Sequence, residues 1–153
     1  MATHLPFLLD SKHGPNGTLL VHMARANPQW RAFDREVAVL VIFSGPHAYI
    51  SPSWYEPRNN NVPTWNYIAV HCSGKPVLME EAGYTVGHLS QLVDRQESRF
   101  DDPWFLGAMP EDYVKGLAKG VVALEIPIER IEGKAKLSQN RTSKDRTGII
   151  SAL

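Results

Sequence analysis

The sequence predicts an α+β fold built on an antiparallel barrel, with a few helices at its margins. Three observations carry that expectation. Short runs of β-branched and aromatic residues recur through the chain, dense clusters of Gly, Pro, Asn and Ser separate them, and only a few segments show helical spacing or caps. The 153 residues suit one domain with one hydrophobic core, spanning 1–153. With 43% hydrophobic and 21% charged residues, the composition is that of a globular protein and excludes a disordered or collagen-like chain.

Leu5 to Leu9 is apolar and stops at Asp10, and Gly14-Pro15-Asn16-Gly17 then supplies turn formers, which predicts a hairpin returning along Thr18 to Ala24. Asn27-Pro28 is a helix start, because Asn caps free amides and Pro fits the first helical position; one or two turns follow over Gln29 to Phe33. Val37 to Phe43 has no polar interruption and predicts a central strand buried on both faces. Thr64 to Cys72 predicts a strand with Trp65, Tyr67, Ala69 and His71 on one face and Asn66, Ile68, Val70 and Cys72 on the other. Val77 to Glu80, after Ser73-Gly74-Lys75-Pro76, predicts a second hairpin. Asn59-Asn60-Asn61 reads as a solvated loop.

From Val86, Leu89, Leu92 and Val93 recur at helical spacing among polar residues and predict an amphipathic surface helix. Pro110-Glu111-Asp112 opens a short helix ending near Gly116 or Gly120, its acids at the favourable end. Gly120 to Ile131 predicts one long strand interrupted by Pro127, which favours an edge or a bulge. Thr142 or Ser143 caps a terminal helix running to Leu153.

Several function classes are excluded early. Sixteen basic residues balance sixteen acidic ones, so no global positive field gathers a polyanion, and any DNA binding is expected to be weak and salt-sensitive. A single cysteine, Cys72, forms no intrachain disulfide and suits a reducing compartment, while the N-terminus lacks the pattern of a signal peptide; a cytoplasmic protein is expected. The longest apolar run falls far short of the roughly 18–20 residues of a membrane-spanning helix. The histidines at 4, 13, 22, 47, 71 and 88 show none of the HxH, HxxxH or HExxH spacings of a metal site. His71 and Cys72 are strand neighbours and face opposite ways, so they form no Cys-His pair, and Cys72 reads as a small buried hydrophobe. P-loop, GxGxxG and GxSxG sequences are absent.

Three segments carry chemistry. A strand delivers the chain to Arg25 and a capped helix begins three residues later, so a guanidinium and unpaired amides at Gln29 and Trp30 would meet a phosphate; the competing reading pairs Arg25 with a surface carboxylate. Gly133 to Arg141 gathers Lys134, Lys136 and Arg141 with Ser138, Gln139 and Asn140 between a strand and a helix, and residues 129–153 hold six Lys or Arg against three Asp or Glu. Anion binding or a solvated tail both fit. Tyr49, Trp54, Tyr55, Trp65 and Tyr67 lie close in sequence; such rings fill cores and dimer interfaces, and Trp65-Asn66 also suits a planar heterocycle with polar edges.

His4-Leu5-Pro6-Phe7, His22-Met23-Ala24-Arg25-Ala26-Asn27-Pro28, Gly45-Pro46-His47-Ala48-Tyr49-Ile50-Ser51-Pro52-Ser53-Trp54-Tyr55, Pro63-Thr64-Trp65-Asn66-Tyr67 and Lys134-Ala135-Lys136-Leu137-Ser138-Gln139-Asn140-Arg141 together resemble the PaiB family of FMN-binding negative transcriptional regulators. The resemblance implies the FMN-binding split barrel shared with pyridoxamine-phosphate oxidases and flavin reductases, in a cytosolic homodimer with FMN between subunits. It also implies that the chain lacks the helix and strand with which relatives begin. By position, Arg25 and Asn27 would hold the phosphate and His22 and Met23 would face the ribityl chain or ring. Trp65 and Asn66 would be cofactor or interface residues, and Lys136, Ser138 and Gln139 would complete the pocket. Two functions follow from the resemblance: a flavin-dependent negative regulator that acts indirectly, or an FMN-dependent oxidoreductase similar to flavin reductases, with His22 as its candidate proton-exchanging group.

Overall fold

The computed structural model describes residues 2–34, 36–56 and 61–153. Its first hairpin follows from turn chemistry. Gly14 and Gly17 take φ of +81° and +82°, a region that costs glycine little, and the chain reverses so that β1 (Leu8–Asp10) pairs antiparallel with β2 (Thr18–Ala24). At Gly17 an added Cβ would also lie 2.9 Å from the Leu9 side chain and 3.1 Å from Asp10 O, so the turn has no room for a larger residue.

The chain divides into two units, Met1–Val39 with Ser73–Arg130, and Leu40–Cys72 with Ile131–Leu153. The first holds a four-stranded sheet in the order β1-β2-β6-β5, with β5 at Val77–Met79 and β6 at Val121–Pro127. β2 and β6 pair antiparallel along their whole lengths, from Thr18↔Pro127 to Ala24↔Val121. That register puts Leu19, Val21 and Met23 on one face with Ile126, Leu124 and Val122, all buried; burying each such side chain is worth roughly 1.5–3 kcal/mol. Leu20 and His22 share the other face with Glu125 and Ala123. There α1 (Ala82–Glu97) packs against β6, and α2 (Glu111–Ala118) packs against α1 with Val114 and Ala118 buried.

The second unit is built on the sheet order β3-β4-β7, with β3 at Val39–Ile50, β4 at Thr64–Gly74 and β7 at Arg130–Lys136. α3 (Ser143–Ala152) closes it, with Thr142 Oγ1 accepting from Asp145 N. Its core is Ile50, Tyr55 and Ile149, flanked by Ala48 and Trp54. Gly148 lets α3 seat on the short 3-10 helix Pro52–Trp54, since a Cβ there would lie 2.3 Å from Trp54 O.

The strand at Thr18 to Ala24 and the helices at Pro110 and Thr142 form as their sequence signals predict. Cys72 is buried, and burial pushes its thiol pKa up, in keeping with a small hydrophobe. Other expectations are corrected. The apolar run expected to be central becomes β3 at one end of its sheet, and alternation wins over hydrophobicity: Val41 is buried while Leu40 and Ile42 are 57% and 56% exposed. Val77–Met79 forms no hairpin with the preceding strand. β4 and β5 belong to different sheets, and Gly74 at their junction lies so close to Pro127 O that a Cβ would sit 2.0 Å from it. The single strand expected over Gly120 to Ile131 is two strands in two sheets, because Pro127 has no N–H to continue the ladder. Ile128 N and Glu129 N instead donate to Gly17 O and Ser73 O at 3.0 and 2.9 Å. β6 is accordingly interior to its sheet, with Pro127 as its last residue rather than an edge or bulge. Of the Asn59-Asn60-Asn61 loop, Asn59 and Asn60 lie outside the described residues. No helix among the described residues is long and apolar enough to cross a membrane.

Candidate functional site

At the end of β2, Arg25 N donates to Gly120 O at 2.8 Å. Its guanidinium follows the backbone: Nε donates to Lys119 O at 2.8 Å and Nη2 to Val121 O at 3.0 Å. Arg25 thus satisfies the carbonyls where α2 gives way to β6, a role that neither sequence reading anticipated. Its Nη1 has no partner among the described residues and remains available to an anion. Trp30 lies beside it, with Nε1 donating to Arg25 O at 3.0 Å and the guanidinium carbon 5.8 Å from the ring centroid.

Asn27 caps as expected, its Oδ1 accepting from Gln29 N at 2.9 Å. That same bond corrects the expectation that the Gln29 amide is unpaired. The element it caps is a five-residue 3-10 helix, Pro28–Ala32, too short to present a sizeable dipole to an anion. Asn27 Nδ2 donates to Thr3 Oγ1 at 3.2 Å, which ties the N-terminal segment to the cap. Pro28, Gln29, Ala32 and Phe33 line an open groove of about 380 Å³.

His22 and Met23, adjacent on β2, point to opposite faces: Met23 belongs to the core and His22 turns toward α1. There its Nδ1 lies 3.1 Å from Nε2 of His88, with the rings edge-on and their centroids 5.2 Å apart. Desolvation lowers both pKa values, that of His88 to about 4 with help from neighbouring His22. Next to them on α1, Tyr84 donates its hydroxyl to Glu125 Oε1 at 2.7 Å, and burial first, then this bond, raises its pKa.

Of the five sequence-predicted residues in the second unit, two bond each other directly, Asn66 and Ser138. Asn66 and Ser138 are both buried, and Ser138 Oγ donates to Asn66 Oδ1 at 3.0 Å. Ser138 takes φ +60°, alone among the described non-glycine residues in that region, so the turn after β7 is strained where it meets β4. Lys136 Nζ donates to Thr64 Oγ1 at 2.7 Å. Gln139 folds back on its own turn, accepting from Leu137 N at 2.7 Å and donating to Ala135 O at 2.5 Å. The fifth residue, Trp65, is 48% exposed; His47 stacks on it at 5.7 Å and 25°, and Tyr49 is tilted against it at 6.3 Å.

Sequence reasoning missed His88 and the part of His47. His88 lies three residues after the buried Thr85 and one before Leu89, on the inward phase of an amphipathic helix, and a histidine there is a readable signal. His47 is three strand positions from Ile50, and only the pairing of β3 with β4 reveals its neighbour Trp65.

A family model described as "Putative FMN-binding domain" matches residues 1–130. The Protease synthase and sporulation protein PAI 2 of Bacillus subtilis (strain 168) is 39% identical over 153 residues, covering all of this chain and 72% of that protein. The chain belongs to the PaiB family. FMN is the cofactor that this membership assigns. Another relative, the uncharacterized protein AN0679 of Emericella nidulans, is 32% identical over 184 residues, covering 98% of this chain and 73% of that protein. Among solved structures, the flavocytochrome Anf3 of Azotobacter vinelandii matches 85% of the chain at TM-score 0.54 and 12% identity. The FAD and haem binding protein of Mycobacterium smegmatis matches 88% at TM-score 0.55 and 16% identity. The PaiB-family chain spans 56% and 60% of those two structures' lengths, and at such identities the likeness is one of fold.

Taken unit by unit, the residue types suit a flavin mononucleotide in kind. In the second unit Trp65 with Tyr49 and His47 offers an exposed aromatic face and Lys136 an exposed cation, and in the first unit Arg25 offers an exposed guanidinium.

Proposed function

We propose that this PaiB-family protein is an FMN-binding split barrel that works as a cytoplasmic homodimer and represses gene expression indirectly, through the state of its flavin. The observation that carries the reading is the open aromatic face of Trp65, Tyr49 and His47 on β3 and β4, beside the Asn66–Ser138 bond that fixes the neighbouring turn. Bound FMN supplies reversible electron transfer; the protein's own residues bind, orient and shield it. In this reading Trp65 of the second unit stacks on the ring and Lys136 draws the phosphate, with Asn66, Ser138 and Gln139 fixing the turn that carries Lys136. The first unit offers its own candidate ligands: Arg25 and Asn27 suit a phosphate, and His22 offers Nε2 to a ribityl hydroxyl with Met23 behind it in the core.

A second copy suits this sheet, since Leu40, Ile42, Tyr49, Trp65 and Ile68 on β3 and β4 are all exposed large hydrophobics. Indirect action follows from charge. A neutral chain makes few phosphate contacts, so DNA affinity should collapse between low and physiological salt. The alternative, an FMN-dependent oxidoreductase, draws support from the names of the two flavin proteins of similar fold.

Purified protein should be yellow and dimeric by light scattering, and Trp65→Ala should weaken FMN roughly three- to tenfold, the worth of one aromatic stack. A colourless protein that fails to bind FMN, or an unchanged affinity in the variant, would overturn the assignment. Rapid NAD(P)H-driven bleaching of bound flavin would favour the oxidoreductase, and tight salt-tolerant binding to one operator would replace indirect by direct repression.

A further inference from the structure

We propose that His88 is a positioning residue that fixes His22 as the neutral tautomer protonated at Nε2, making His22 a hydrogen-bond donor toward whatever binds beside β2. The argument starts from geometry. His22 Nδ1 and His88 Nε2 are 3.1 Å apart, so one of the two atoms carries a hydrogen and the other a lone pair. His88 is only 2% exposed, and its other ring nitrogen, Nδ1, is buried without a hydrogen-bond partner among the described residues.

That orphaned atom decides between the two arrangements. If His22 donated from Nδ1, a neutral His88 would have to carry its hydrogen on Nδ1, leaving a buried N–H unpaired. Buried donors without partners are rarer than buried acceptors with spare lone pairs. The favoured arrangement therefore has His88 donating from Nε2 and leaves a lone pair on its Nδ1. His22 then accepts at Nδ1 and carries its own hydrogen on Nε2, an atom not among the buried unpartnered ones.

Among the described residues, no charged group outside the pair shifts either ring. From β6 the titratable group on this face is Glu125, which is taken up by Tyr84 of α1. α2 turns Val114 and Ala118 inward, while its Glu111, Asp112 and Lys115 are exposed, as is Lys119 at its end. A neutral pair is thus the state the pocket accommodates, in keeping with the lowered pKa values of both rings.

A His22 that donates from Nε2 suits an oxygen acceptor such as a hydroxyl or phosphate and is not set up as a base. Only the identity of that acceptor as FMN rests on the function proposed above. The tautomer itself is tested without any ligand, by nitrogen-15 NMR of histidine-labelled apoprotein at neutral pH. Both His22 and His88 should show a protonated Nε2 and a bare Nδ1; protonation of either at Nδ1, or rapid exchange between tautomers, would overturn the proposal. In His88→Leu, His22 should revert to a mixture of tautomers and titrate at a higher pH, and His88→Gln, whose amide can donate in the same place, should restore the fixed state. An unchanged His22 spectrum in His88→Leu would equally sink the idea. FMN titration of His22→Phe, expected to weaken binding about two- to tenfold, reports separately: loss of that effect removes FMN as the acceptor and leaves the tautomer result standing.

Discussion

Arg25 shows how one side chain can serve structure and ligand at once. Its bonds to Lys119 O and Val121 O are charge-assisted and join β2 to the start of β6, yet they are solvent-exposed, which reduces their worth. Arg25→Ala should therefore lower stability by about 1–2 kcal/mol, read as a fall in the urea midpoint of the apoprotein. The residue's nature alone would suggest a phosphate ligand with no structural duty. If Nη1 also meets the phosphate, the variant should lose FMN affinity roughly tenfold while riboflavin, which lacks the phosphate, loses little. Equal losses for the two flavins would assign Arg25 to the fold alone. The residue types of the site were legible in sequence, since Arg, Asn, Trp and Ser advertise their chemistry. Their commitments were not: that Gln139 spends both ends of its amide on Ala135 and Leu137, or that Asn66 meets Ser138, depends on a turn whose left-handed residue is a serine rather than the expected glycine.

At the scale of elements, local signals succeeded where the cause was local. The caps at Asn27 and Thr142, the Gly14 to Gly17 turn and the seven residues of β2 all follow from neighbours in sequence. Sheet partners did not, because nothing near Val77 says that it will pair with β6, and nothing in an apolar run says that one of its faces will be left open. Glycines divide along the same line. Gly87 lies in α1 with open space around its missing side chain, so Gly87→Ala should raise stability by roughly 0.5–1 kcal/mol through helix propensity. Gly148 lies in α3, where the same propensity gain meets Trp54 O at 2.3 Å, backbone that cannot give way cheaply. Gly148→Ala should cost about 1–3 kcal/mol, the usual penalty of overpacking, and thermal melts of the two variants should move in opposite directions. A shift of the same sign in both would mean that α3 does not rest on the Pro52–Trp54 turn.

Across the whole molecule the formal charge cancels, so the pH dependence of stability is set by individual buried groups rather than by overall repulsion. Asp10 is lowered first by the Lys12 amide and then by His13, and Glu111 by Lys115, but both carboxylates are solvated and contribute little. The histidine pair contributes more. A folded chain holds His88 neutral down to about pH 4, whereas the unfolded chain takes up that proton near the ordinary 6.5. Between those values the unfolded state binds more protons than the folded one, so protonation pulls the equilibrium toward unfolding. Stability should be full above about pH 7, fall as the pH drops through 6.5 toward 4, and gain no further slope from this group below that. For His88 the difference corresponds to roughly 3 kcal/mol, and His22, lowered in the same direction, acts with the same sign. Urea midpoints measured from pH 7 to pH 4 should trace this decline, and His88→Gln, which keeps a donor but cannot titrate, should remove the His88 share of the slope. A midpoint that stays level through this window in the unmodified protein would mean that the pair is hydrated or already charged in the folded state.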